Sequence, residues 1–228
     1  MIITLKNTTS AEVASRIVEL RDERGSAALS RVLTLLICVP DLIDVDNAIE
    51  VSDAVSREHP CRVIVIVEPE SILRMVTFAN YCKEPTIVGA HMFDMFDRSV
   101  LHAFGEVVDP WRNFYAKPHE DMAMGHDLGR SNLRSTHWLH RRVDVDYNGW
   151  WMCLIPTSVI RKIGLSLPLF LKWDDAEYGL RAKAAGIPTV SFPGAGVWHV
   201  SWTDKDDSVG WQAYYHERNR LITALLHS

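Results

Sequence analysis

Asp174 and Asp175 stand side by side in the phrase WDDAEYG, and an imidazole, His199, follows within VWHVSW. The two carboxylates open a stretch whose later residues repeat at helical spacing, and one strand-like segment separates it from the histidine. A carboxylate so placed can take the proton that a hydroxyl sheds as it attacks. An imidazole can help hold a divalent cation, which neutralises charge on a departing diphosphate. Transfer of an activated sugar to a hydroxyl uses both. Each residue also has a plainer reading. Adjacent aspartates can cap a helix, an arrangement worth about 1 kcal/mol, and a lone histidine beside Trp198 can be a hydrogen-bonded core residue.

Other polar residues carry weaker signals. The run Asp204–Asp207 could bind a metal but suits a solvated turn or helix cap better. Arg141 and Arg142 could meet a phosphate or pair with Asp144 and Asp146. None of the eight tryptophans precedes Trp111, and five fall between Trp138 and Trp198. Indoles serve either as core or as flat platforms for sugars. Trp150 and Trp151 follow Asn148-Gly149, and adjacent side chains of an extended segment face opposite sides. One can then line a groove while the other packs inward.

The elements that must position these groups read as α/β. Thr8–Ser10 offers a cap for a helix over Ala11–Arg24, and Gly25 stops it. Arg31–Val39 and Cys61–Val67 are buried strands flanking a helix over Asp44–Arg57, a βαβ unit whose strands should be parallel neighbours. Pro69 and Glu70 open a further helix, and Pro85–Gly89 is a short strand. Ser99–Tyr147 reads as loop and short helix, the kind of long irregular segment that carries function. Asn148–Pro156 reads as a strand, Thr157–Ile163 and Asp175–Ala185 as helices. Thr189–Phe192 and Val197–Trp202 read as strands parted by a Pro193-Gly194 turn. Gly210–Leu226 is a last amphipathic helix; without a cap at Ser228, the protein is expected to continue.

The 228 residues suffice for one large domain or two small ones. A hydrophobic fraction of 47% and a charged fraction of 23% are those of a soluble globular chain. A net charge of -5 argues against nucleic acid and anionic membrane. Neither a signal peptide nor a spanning helix is evident. Cys38, Cys61, Cys82 and Cys153 lack CxxC spacing, which speaks against zinc and for reduced cytosolic thiols.

Two resemblances add to this reading. NTTSAEVASRIVELRDERG, SRVLTLLICV and AIEVSDAVSREHPCRVIVIV resemble the amino-terminal region of OpcA, the glucose-6-phosphate dehydrogenase assembly protein, over residues 1–67. EPESILR, PTIVGAHM, HAFGEVVD, LHRRVDVDYNGWWMCLIP, LPLFLKWDDAEYGLRA, FPGAGVWHVSWTDKDD and WQAYYHERNRL resemble the polymerising galactofuranosyltransferases of the arabinogalactan cell wall, over residues 68–228. The second resemblance implies a chimeric α/β chain: a partial GT-A-like (Rossmann-like) mixed sheet with flanking helices, its nucleotide-binding half replaced by an unrelated βαβ unit. It implies an inverting, metal-assisted transfer of galactofuranose from UDP-galactofuranose to a growing galactan. Asp175 would be the base, Asp174 would orient the acceptor, and His199 would ligate manganese or magnesium. Trp150 and Trp151 match the sugar-contacting pair, and His216 matches a further site residue, though its place on an amphipathic helix suits a surface residue equally; Glu106 and Asp146 are weaker candidates for the sugar site. A cytoplasmic enzyme at the inner face of the plasma membrane would follow, attached peripherally through its lipid-linked acceptor and able to form homo-oligomers. The family's aspartate-rich metal motif precedes the phrase matched by EPESILR; here Val63–Val67 stands in its place, which implies weak metal binding and impaired turnover. The rival reading is a non-catalytic assembly or binding protein related to OpcA.

Overall fold

The computed structural model describes residues 2–4, 34–38, 63–67, 69–200 and 209–227, the first three segments by backbone course alone. Those three are strands: β1 (Ile2–Thr4), β2 (Thr34–Cys38) and β3 (Val63–Val67). β1 pairs with β2 and β2 with β3, both parallel, so the two apolar runs read as neighbours do lie side by side. β1 was not foreseen. The helices expected over Ala11–Arg24 and Asp44–Arg57 fall outside the described residues, and most of residues 1–67 falls there with them.

Helix α1 (Pro69–Tyr81) starts where proline and Glu70 signal it. The strand expected over Pro85–Gly89 runs on as β4 (Ile87–Asp94). It is buried on both faces, with Val88, Ala90 and Met92 alternating with His91. Ser99–Tyr147 holds more sheet than its sequence suggests: β5 (Val100–Ala103), β6 (Val107–Asp109), β7 (Phe114–Ala116), β8 (His126–Asp127) and β9 (Val143–Asp144), with two 3-10 turns between the last two. Such strands are shorter than any window in which alternation can be read; their partners create them. The strand expected over Asn148–Pro156 shrinks to β10 (Cys153–Leu154), because Asn148–Trp151 turns instead of extending.

Helix α2 (Thr157–Ile163) is as expected, and α3 (Asp174–Ala184) begins at the first of the paired aspartates. The two strands expected around Pro193-Gly194 are one strand, β11 (Thr189–His199), whose register against β4 shifts between Phe192 and Gly196. Proline lacks the N–H that a regular ladder needs, and a bulge absorbs it. Helix α4 (Trp211–His227) closes the described chain. The acidic run Asp204–Asp207 and Trp202 lie outside the described residues.

The main sheet runs β1-β2-β3-β11-β4-β5-β8, with β10 also on β4 and β9 also on β11. It is mixed: β11 is parallel to β4 but antiparallel to β3. The amino-terminal strands therefore share one sheet with the rest. β6 and β7 form a separate ribbon. α1 packs on one face through Met75 against Val88, Ala90 and Ala195, and Phe78 stacks on Phe192. Ser71 ties this helix to the bulge, donating to the Gly196 carbonyl at 2.9 Å and accepting from its N–H at 3.1 Å. α2 and α3 bury Val159, Tyr178 and Ala182 against Ile87 and Ile187.

Candidate active site

Asp175 sits in the first turn of α3, whose opening also carries Asp174 and Glu177. The chain enters this helix through Trp173, a buried residue in left-handed conformation at φ 66°, and Leu171 two residues earlier is at φ 75°. Non-glycine residues held at positive φ carry strain and concentrate at functional sites. Asn219 of α4 holds this entry in shape: its Nδ2 donates to the carbonyls of Phe170 and Lys172 at 3.0 and 2.6 Å.

Backbone N–H groups of Ala176, Trp150 and Asp175 itself point at the Asp175 carboxylate and favour its charged form. Burial and the neighbouring Asp174 charge act the other way and win, lifting Asp175 to about 7. Asp174 is also raised, again first by burial, with Lys172 opposing. Glu106 is raised to about 7 by burial, while the Tyr147 hydroxyl that donates to it pulls it down and the Asp175 charge adds to the rise. The Cys153 thiol is pushed up to about 12 by burial and by Asp175, so it stays protonated and inert. Two carboxyl groups poised near neutrality thus feel one another's charge, and Asp175 also acts on Tyr147 and Cys153 and meets the Trp150 N–H.

The tryptophan pair divides its work, though through a turn and not through strand alternation. Trp150 is 38% exposed and sets its ring edge-on to Tyr178 at 5.7 Å. Trp151 turns inward: its Nε1 donates to the Ala90 carbonyl at 2.7 Å, and its ring packs with Met92, Ala103 and Val197. His199 follows Val197 by two residues and therefore lies on the same face of β11. It is opposite Asp94 of β4 and Val65 of β3, and His102 is close enough to feel both Asp94 and His199. The His199 Nδ1 lies 2.7 Å from the Val200 carbonyl, which assigns the proton to that nitrogen.

His216 lies on α4 and is only 17% exposed. Its ring packs on Trp173, Phe114 and Tyr115, an aromatic wall beside Tyr147, and burial depresses its pKa. Asp146 points elsewhere. One carboxylate oxygen accepts the Val108 N–H at 2.9 Å, and the other pairs with Lys183. Arg142 pairs with Asp144, and Arg141 with Asp121. Sequence reasoning missed Tyr147 and Glu177, and Asn148 entered it only as the residue that, with Gly149, precedes the tryptophan pair.

Residues 62–224 match the family described as glycosyltransferase like family 2. The chain belongs to that family. It is 50% identical over 169 residues to the galactofuranosyltransferase GlfT2 of Mycobacterium tuberculosis (strain ATCC 25618 / H37Rv). It is 49% identical over 166 residues to GlfT2 of Mycolicibacterium smegmatis (strain ATCC 700084 / mc(2)155). Each match covers 71% of this chain but 26% of the relative, so the chain spans about a quarter of the length of these curated relatives. Family membership makes a divalent cation the natural companion of a nucleotide-sugar donor. Among the described residues, however, no group of three His, Cys, Asp or Glu side chains could hold a metal ion. His199 has Asp94 opposite it on β4 and Val65 opposite it on β3. The described residues do not fit a complete cation site. No helix among them is long and apolar enough to cross a membrane.

Proposed function

We propose that the chain is a glycosyltransferase that moves galactofuranose from UDP-galactofuranose to a hydroxyl of a galactan acceptor, with inversion. The observation that carries this reading is the Asp175 carboxyl. It stands at a helix start beside the partly exposed Trp150, and its pKa of about 7 is suited to a base at neutral pH. The identity to GlfT2 along the same segment supports the choice of donor and acceptor. Asp175 removes the proton of the attacking hydroxyl. Asp174, beside it, orients that hydroxyl. The indole of Trp150 offers a flat face to the acceptor, and Glu106, held by Tyr147, contacts sugar hydroxyls. His216 lends the aromatic wall a polar atom. Asp146, charge-balanced by Lys183, acts by holding the Val108 strand in place.

Turnover is slow in this reading, because the family resemblance implies an aspartate-rich metal motif where this sequence has Val63–Val67. The acceptor side is the better equipped half. The test is transfer of radiolabelled galactofuranose to a galactan oligosaccharide, with acceptor binding measured in parallel. Slow transfer abolished by Asp175→Ala, and acceptor binding weakened by Trp150→Ala, are the expected results. Transfer that survives Asp175→Ala would overturn the proposal.

A further inference from the structure

Asn148 is 2% exposed and sits in a slot made for it. A Cβ on Gly89 would lie 2.0 Å from its side chain, and a Cβ on Gly105 would lie 2.4 Å from its Oδ1. Only glycines leave the room. The Nδ2 donates to the Val190 carbonyl of β11 at 3.1 Å, while the Oδ1 is buried without a hydrogen-bond partner. A buried polar atom left unpaired is a cost that an apolar residue would avoid. The slot nonetheless holds a carboxamide, whose donor spans from the turn to the sheet.

What the carboxamide anchors lies on either side of it. Tyr147, one residue before, exchanges backbone hydrogen bonds with Glu106 at 3.0 and 3.2 Å and donates its hydroxyl to the Glu106 carboxylate. Trp150, two residues after, directs its N–H at Asp175. Between them Gly149 admits the Trp151 ring, which a Cβ there would meet at 1.9 Å. Backbone bonds bracket the turn at Tyr147 and at Met152, whose carbonyl accepts the Ala90 N–H at 3.0 Å, and between them the Asn148 carboxamide ties the turn to β11.

We propose that Asn148 is a positioning residue, whose carboxamide, clamped between Gly89, Gly105 and Val190, fixes the turn that holds Glu106 and Asp175 in register. The inference rests on the reading of Asp175 as the base, but its first test does not. Carboxyl carbon-13 NMR titration reports the Asp175 midpoint directly, in the native chain and in Asn148→Ala. Releasing the turn withdraws the Trp150 N–H from the anion. The midpoint should then rise by about half a unit or more. Gly105→Ala, which crowds Oδ1 from the other side, should move it the same way and stands in if Asn148→Ala does not fold. Transfer under single-turnover conditions should fall about tenfold in either variant, with the donor KM changed less than about twofold. An unmoved midpoint in a folded variant overturns the proposal, whatever happens to the rate. A raised midpoint in a chain whose native form transfers no sugar keeps Asn148 as positioning residue and removes the base reading instead.

Discussion

The base candidate shows how three forces on a single carboxyl group resolve. Helix-start N–H groups favour the anion, yet desolvation and Asp174 outweigh them and place Asp175 near 7. Transfer by the native chain should therefore rise with pH through about 7, as the base sheds its proton, and a pH–rate profile checks this. Asp175→Asn should lower the rate by about a hundredfold or more. The same shift governs stability. A carboxyl raised in the folded state favours folding below its unfolded pKa of about 4, and this contribution is lost as pH rises through about 7. Asp175→Asn should thus stabilise the chain at pH 8 by about 1–3 kcal/mol while changing little at pH 4. Urea unfolding at the two pH values reads this out, and equal effects at both would contradict it.

Among the elements, the join of α3 to α4 rests on buried polar groups. Glu177 is 1% exposed; it accepts from Arg181 at 2.8 and 3.1 Å and meets the His227 Nε2 at 3.2 Å. Removing it leaves the Arg181 guanidinium with the Ile163 and Leu165 carbonyls but no carboxylate to balance its charge, and Glu177→Ala should cost about 3 kcal/mol in denaturant unfolding. Asn219→Ala should cost about 2 kcal/mol and loosen the loop that leads to Asp174, seen as faster amide exchange at Leu171–Trp173. The sequence reading of elements succeeded where periodicity was strong and long. α1, α2 and the paired strands β2 and β3 stand where apolar spacing and helix-start residues place them. It failed at β11, where Pro193-Gly194 looked like a turn. A bulge that accepts the Ser71 hydroxyl keeps the strand whole, and Ser71 lies 125 residues from Gly196. It failed again over Asn148–Trp151, where two tryptophans suggest a strand and the carboxamide clamp makes a turn.

For the whole molecule, the proposed function carries a consequence for metal binding. Among the described residues no group of three His, Cys, Asp or Glu side chains could hold a metal ion. Manganese should therefore bind weakly, and millimolar manganese or its removal by a chelator should leave the thermal midpoint unchanged within about 1 °C. Calorimetry checks both; tight binding would show that residues outside the described ones complete the site. Sequence by itself determined the α/β class, the family resemblance over residues 68–228 and the candidate base. These are carried by contiguous phrases and short-range spacing. Only the tertiary structure decided which groups share an environment. Glu106 and Asp175, the Gly89–Gly105 slot around Asn148, and the pairing of Asp146 with Lys183 join residues tens of positions apart. Desolvation, charge coupling and steric fit depend on distance in space, and spacing along the chain does not encode it.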